Sequence, residues 1–186
     1  MIRAFLALPL PDPLRERVML LQQMLPLPRR AARPVAPENL HLTLVFLGEQ
    51  PEPTLIDLHH DLERLRAQRF TLTLRGLGAF GGAAPRSLQA ICTPCQGLDH
   101  LQRKLATAAR NTGIALERRR FVPHVTLARL DWRRLDMAQR AQLEQAVAGN
   151  ADFNAGPAEV AEFALYRSYL GREGAHYEEL ARYALA

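Results

Sequence analysis

The chain has 186 residues, 48% hydrophobic and 23% charged, which suits one domain with a real core and excludes a disordered or fibrous chain. No segment approaches the ~18 consecutive apolar residues of a membrane helix, and the apolar start Met1–Pro9 lacks the long core and cleavage site of a signal peptide, so a cytoplasmic protein with no membrane partner is expected. The net charge of +5 favours anionic partners, and all but one of the 24 basic residues are arginine, whose planar fork matches phosphate oxygens.

Alternating apolar stretches predict strands at about 2–8, 40–47, 70–77, 86–92, 122–129, 159–168 and 176–183. Helical spacing fills the gaps. Leu14, Val18, Leu21 and Leu25 share one face of a first helix, opened by Pro11-Asp12-Pro13 as a cap with early proline. Leu55, Leu58, Leu62 and Leu65 mark a second helix. Leu98, Leu101, Leu105 and Ala108 mark a third, and Leu135, Leu143 and Val147 a fourth. Residues 76–85, with Gly81-Gly82, read as the break between two halves.

Each half carries one His-x-Thr-x element, His41-Leu42-Thr43-Leu44 and His124-Val125-Thr126-Leu127. The histidines are 83 residues apart and the first strands of the halves begin 84 apart. Matching intervals across matching elements predict a duplicated unit, one domain over 1–186 whose repeats are about 1–80 and 81–186, packed about a pseudo-twofold axis. In a strand, a residue and its second neighbour share a face, so each motif presents an imidazole and a hydroxyl together. Two imidazoles suit attack on a phosphodiester. A neutral one takes a proton from the nucleophile, a charged one gives a proton to the leaving oxygen, and the threonine hydroxyls hydrogen-bond the phosphoryl oxygens. No carboxylate cluster accompanies the motifs, so neither a metal nor another cofactor is expected. Arg29, Arg30 and Arg33 precede the first motif and Arg118, Arg119 and Arg120 the second, which predicts a basic lining on both walls of a shared cleft. His59, His60, His100 and His176 lack such partners and read as surface residues.

The segments Arg33-Pro34-Val35, 39–49 and Arg119, Phe121, 123–129, with the strands 70–74 and 163–166, resemble the two-histidine (2H) phosphoesterases. Within these, the chain is most similar to the bacterial and archaeal RNA 2′,3′-cyclic phosphodiesterases, also called 2′-5′ RNA ligases. The resemblance spans nearly the whole chain. It implies an α+β fold of two lobes, with two antiparallel sheets around a central groove and helices outside. It implies hydrolysis of a terminal RNA 2′,3′-cyclic phosphate to a 2′-phosphate without metal or cofactor, with His41 as proton donor and His124 as proton acceptor. The reverse reaction would form a 2′-5′ bond. The implied partner is RNA with a cyclic phosphate end, such as a tRNA half or other cleaved RNA, bound by a monomer. The family also uses an aromatic after the first motif and an arginine after the second, which fall on Phe46 and Arg129. Thr43, Thr126 and Arg119 complete the implied substrate contacts. Phe46 and Arg129 each lie five residues beyond their histidine, so strict alternation puts them on the opposite face. Either each strand is irregular after the threonine, or these side chains pack elsewhere, as a phenylalanine on an apolar strand commonly does.

Three other readings compete. Cys92-Thr93-Pro94-Cys95 is a C-x-x-C between a strand and a helix, the setting of an activated thiol, but it lies outside the repeated motifs. A non-catalytic RNA-binding module would not need two histidines and two threonines. A small cyclic nucleotide or an ADP-ribose cyclic phosphate would use the same chemistry as RNA.

Overall fold

Among the described residues there are nine strands, most of them marked by alternating apolar side chains, and four α-helices marked by leucines at helical spacing. The computed structural model describes residues 1–118, 120–171 and 174–186. In chain order the elements are β1 (Ile2–Pro9), α1 (Asp12–Met24), β2 (Ala32–Pro34), β3 (His41–Gln50), α2 (Glu52–Arg64), β4 (Phe70–Phe80) and β5 (Ser87–Cys92). Then follow α3 (Gln96–Asn111), β6 (His124–Leu130), α4 (Met137–Gly149), β7 (Asn154–Val160), β8 (Glu162–Gly171) and β9 (Gly174–Ala184). Among the described residues no helix is long and apolar enough to cross a membrane.

The architecture is α+β. Strands run in the order β7-β4-β5-β6-β3-β1-β8-β9, with β2 also on β6, and every pairing is antiparallel. Two antiparallel sets are joined at one seam, where β3 meets β6 through the pair Leu42 and Val125. The helices bury Leu14, Val18, Leu58, Leu62, Leu98, Leu101, Leu105 and Leu143 in one core with Leu42, Leu44, Val125 and Leu127 from the seam strands. Each such leucine stabilises the fold by roughly 1.5–3 kcal/mol. The helices cover one face at the seam, and the opposite face of β3 and β6 carries the histidines.

The strand read at 159–168 is two strands. β7 pairs with β4 in one set and β8 with β1 in the other, so the chain changes sheets at Ala161, whose carbonyl accepts from the Leu185 N–H at 2.8 Å. The start of β7 was hidden by Gly156-Pro157, which an edge strand tolerates. The segment 76–85, read as the break between halves, lies in the end of β4 and its turn to β5. β4 continues to Phe80 and forms a hairpin with β5, and the shift in its pairing between Leu74 and Leu77 is absorbed at Gly76 with φ +72°. Each sheet therefore takes strands from both sequence halves. Asp12 does not cap α1: Pro11 flanks the helix, and Asp12 in the first turn pairs with Arg15 at 2.5 Å. α4 does have a side-chain cap, since Asp136 accepts from the Gln139 N–H at 2.8 Å.

Candidate active site

The two His-x-Thr strands share a departure from regular alternation. In β3 the exposure alternates from His41 to Leu44, then Leu44 and Val45 are both buried and Phe46 is exposed. In β6, Leu127 and Ala128 are both buried and Arg129 is exposed, giving the same pattern position for position. Pairing explains this. Against β1, Thr43 faces Ala7 and Val45 faces Leu6, leaving Leu44 unmatched. Against β5, Thr126 faces Gln89 and Ala128 faces Leu88, leaving Leu127 unmatched. A bulge of one residue reverses the side-chain phase, so the side chain five residues beyond each histidine returns to the histidine's face. Phe46 is 42% exposed and is not a core residue.

The structure brings His41, Thr43, Phe46, His124, Thr126 and Arg129 together around one cleft of about 510 Å³. In the register set by Leu42 and Val125, His41 falls opposite Thr126 and Thr43 opposite His124. Of the predicted basic clusters, Arg33 lines the cleft, whereas Arg29, Arg30, Arg118 and Arg120 do not. Those four lie in connecting segments before the strands begin. Arg119 lies outside the described residues. Arg3, Asn39 and Tyr177 also line the cleft, and the sequence reading missed them. Arg3 lays its guanidinium over Phe46, 4.7 Å from the ring centroid. Among the described residues lining the cleft there are three arginines and no carboxylate.

Both imidazoles are held the same way. His41 Nδ1 is 2.7 Å from the Asn39 carbonyl, and His124 Nδ1 is 2.7 Å from the Val122 carbonyl. A carbonyl only accepts, so each Nδ1 carries a hydrogen and each Nε2 is left as the basic nitrogen. His41 Nε2 is 3.1 Å from Thr43 Oγ1 and accepts its hydroxyl hydrogen when neutral. Asn39 is itself anchored, its Nδ2 donating to the Ala175 carbonyl of β9 at 3.1 Å. His41 sits among Phe5, with ring centroids 5.0 Å apart, and Tyr177, edge-on at 5.1 Å. His124 stacks on Phe80 at 5.5 Å. Burial lowers His41 from the usual 6.5 to about 4, against the opposing effect of its bond to Asn39, and Arg129 and His124 lower it further. His124 is lowered for the same first reason, and Arg129 adds to it. Both shifts favour the neutral ring.

At the C-x-x-C, Cys92 has the opposite environment to an activated thiol. Cys92 is buried and its thiol pushed up to about 12 by burial, with Cys95 and Asp99 adding to the shift. His59 is partly buried rather than a bare surface residue, with Nδ1 2.9 Å from the Tyr183 hydroxyl and Nε2 3.6 Å from Glu63. A larger hollow, about 880 Å³, lies between residues 66–69 and α3. It mixes Arg66, Arg103 and Lys104 with Asp99 and has no paired imidazoles.

The model of the family described as "LigT like Phosphoesterase" matches residues 8–88 and 92–177, which include both His-x-Thr strands. The RNA 2′,3′-cyclic phosphodiesterase of Escherichia coli K12 is 34% identical over 183 residues, covering 98% of this chain and 96% of that protein. The crystal structure of E. coli LigT complexed with 3′-AMP matches with a TM-score of 0.75 and 30% identity, over 100% of this chain and 98% of that one. A crystal structure from Thermus thermophilus also matches with a TM-score of 0.75, at 31% identity over 99% of this chain and 98% of that one. Matched in sequence along both motif strands and in fold along nearly its whole length, the chain belongs to the LigT-like phosphoesterases.

Proposed function

We propose that the cleft hydrolyses an RNA 2′,3′-cyclic phosphodiester to a 2′-phosphomonoester by acid–base catalysis from two histidines. The observation that carries this reading is the matched pair of imidazoles, each with Nδ1 tied to a carbonyl two residues earlier and Nε2 left for chemistry in one cleft. The relatives' activity on RNA cyclic phosphates supports the substrate class.

His124 Nε2 accepts a proton from water as its oxygen bonds to phosphorus. The bond from phosphorus to the 3′ oxygen breaks, and His41 Nε2–H protonates that oxygen, leaving a 3′-hydroxyl and a 2′-phosphate. His41 receives its proton when the anionic phosphoryl group enters, because a nearby negative charge offsets the burial that disfavours the charged ring. Once Nε2 is protonated it no longer accepts from Thr43, whose hydroxyl is released to donate to a phosphoryl oxygen. Thr126 donates from the opposite side, and Arg129 balances the charge. Phe46 offers a face to a nucleobase. In this reading no metal ion is needed: imidazoles supply the proton transfers and arginines the positive charge, and among the described residues the cleft lining has none of the carboxylates that hard cations favour. With a 5′-hydroxyl in place of water, the same groups join two ends: the 5′ oxygen gives its proton to His124 and bonds to phosphorus, the bond from phosphorus to the 3′ oxygen breaks, and His41 protonates that oxygen, leaving a 2′-5′ linkage.

Incubating the protein with RNA ending in a 2′,3′-cyclic phosphate, followed by product analysis, tests this. A 2′-phosphate is expected. A 3′-phosphate would reverse the assignment of the leaving oxygen, and no turnover of RNA alongside turnover of a nucleoside cyclic phosphate would favour a small substrate.

A further inference from the structure

The bulge at Leu127 decides whether Arg129 points into the cleft or into the core, and a bulge leaves backbone groups outside the regular ladder. The side chain that meets this need comes from α1, far away in sequence. Gln22 Nε2 donates to the Leu127 carbonyl at 2.7 Å and to the Val35 carbonyl at 3.0 Å, using both of its hydrogens. Leu127 O also accepts from the Val35 N–H at 2.8 Å. Gln22, the unmatched residue of β6 and the segment following β2 are thus tied at one point. β2 pairs with β6 just beyond it, Arg33 opposite Arg129 and Pro34 opposite Ala128, and Pro34 has no N–H to contribute to the ladder. Gln22 itself does not line the cleft. β3 has a second irregularity beyond Phe46, where Leu47 is left unmatched between Phe46 and Gly48 and its carbonyl accepts from Gln50 Nε2 at 2.6 Å.

We propose that Gln22 is a positioning residue for Arg129: its amide pins the Leu127 bulge and so holds the guanidinium on the histidines' side of the sheet. The inference rests on Arg129 being a phosphate contact. Losing the amide hydrogens leaves Val35 O and part of Leu127 O without a donor and relieves the constraint on the bulge, so the strand samples arrangements in which Arg129 is turned from the cleft. The histidines, held by Asn39 and Val122, keep their places.

The test is a double-mutant cycle read by the affinity for inorganic phosphate, using the whole protein as wild type, Gln22→Met, Arg129→Ala and the double variant. Gln22→Met keeps the side-chain length and removes the donors. It is expected to weaken phosphate binding about fivefold or more, to raise KM for a cyclic phosphate more than it lowers kcat, and to have almost no further effect once Arg129 is alanine. Gln22→Arg, which restores N–H donors at that position, is expected to bind phosphate nearly as wild type does. Unchanged binding in Gln22→Met while Arg129→Ala is weakened overturns the clamp and leaves the reading of Arg129 intact. Fully additive losses also overturn it, since they show general loosening rather than action through Arg129. Unchanged binding in Arg129→Ala overturns both the clamp and the phosphate contact it depends on. A thermal melt accompanies each variant. If Gln22→Met is unfolded, Gln22→Arg decides, and a folded Gln22→Arg with weakened phosphate binding overturns the proposal.

Discussion

His41 is packed among Phe5, Tyr166 and Tyr177, while among the described residues His124 stacks on Phe80. Burial disfavours the charged form of both rings, yet the proposed reaction needs one of them charged. In the proposed reaction the anionic substrate therefore stabilises the charged ring. Replacing either histidine by alanine should lower turnover of a 2′,3′-cyclic phosphate by about 10²–10⁴, and normal turnover in either variant would sink the proposed mechanism. The pH dependence follows with its sign. The free cleft holds one proton across the pair most often between the two ring pKa values, both of which lie below 6.5. The profile of kcat/KM, which reports the free enzyme, should peak below pH 6.5. The profile of kcat, which reports the complex, should peak at higher pH because the bound anion favours the charged ring. A kcat/KM maximum above pH 7.5, or coincident maxima, would contradict this order of events.

The elements that carry the site were legible to different degrees. The amphipathic helices could be read from leucines such as Leu55, Leu58 and Leu62, because a single periodicity sets both the helix and its buried face. The His-x-Thr pairs were legible because two residues two apart in a strand must share a face. Their continuation was not. Leu44-Val45 and Leu127-Ala128 are apolar in any register, so nothing in them distinguishes unbroken alternation from a bulge, and the face of Phe46 and Arg129 stayed open. Arg3, Asn39 and Tyr177 enter the cleft through tertiary pairing of β1, the segment before β3, and β9, which no local pattern signals. β1 also supplies the backing for His41. Replacing Phe5 by leucine should keep the core apolar but admit water beside the imidazole, since a smaller side chain leaves one ring face less covered. The His41 pKa should then rise from about 4 towards 6.5, and the kcat/KM optimum should move to higher pH with it. An NMR titration of the histidine ring protons measures the first effect, and an unchanged His41 titration would show that the depression arises elsewhere.

Across the whole molecule, the two halves of the sequence and the two antiparallel sets of strands are out of step, and the proposed site depends on that. β3 from the first half meets β6 from the second only at the seam, so one histidine, one threonine and one bulge-directed side chain come from each half, and neither half contains a complete site. The matched backbones carry unlike ends: Phe46 with Arg3 across its ring on one strand, and Arg129 beside Arg33 on the other. A polymer with a base at its terminus and further phosphates behind it fits such a cleft better than a symmetric ligand does. The surplus of positive charge then has a measurable consequence. Each phosphate contact with single-stranded nucleic acid contributes a slope of about −0.7 in log affinity against log salt. A short RNA with a cyclic phosphate end, touching about two or three phosphates, should show a slope of about −1.4 to −2 in kcat/KM. A mononucleoside 2′,3′-cyclic phosphate, which has no polymer of condensed counterions to release, should show a much shallower slope. Comparing the two at constant pH cancels the effect of salt on the chemical step, which both substrates share. Equal slopes would mean that the arginines beyond the histidines touch no RNA backbone, and would leave the small cyclic phosphate as the better account of the cleft.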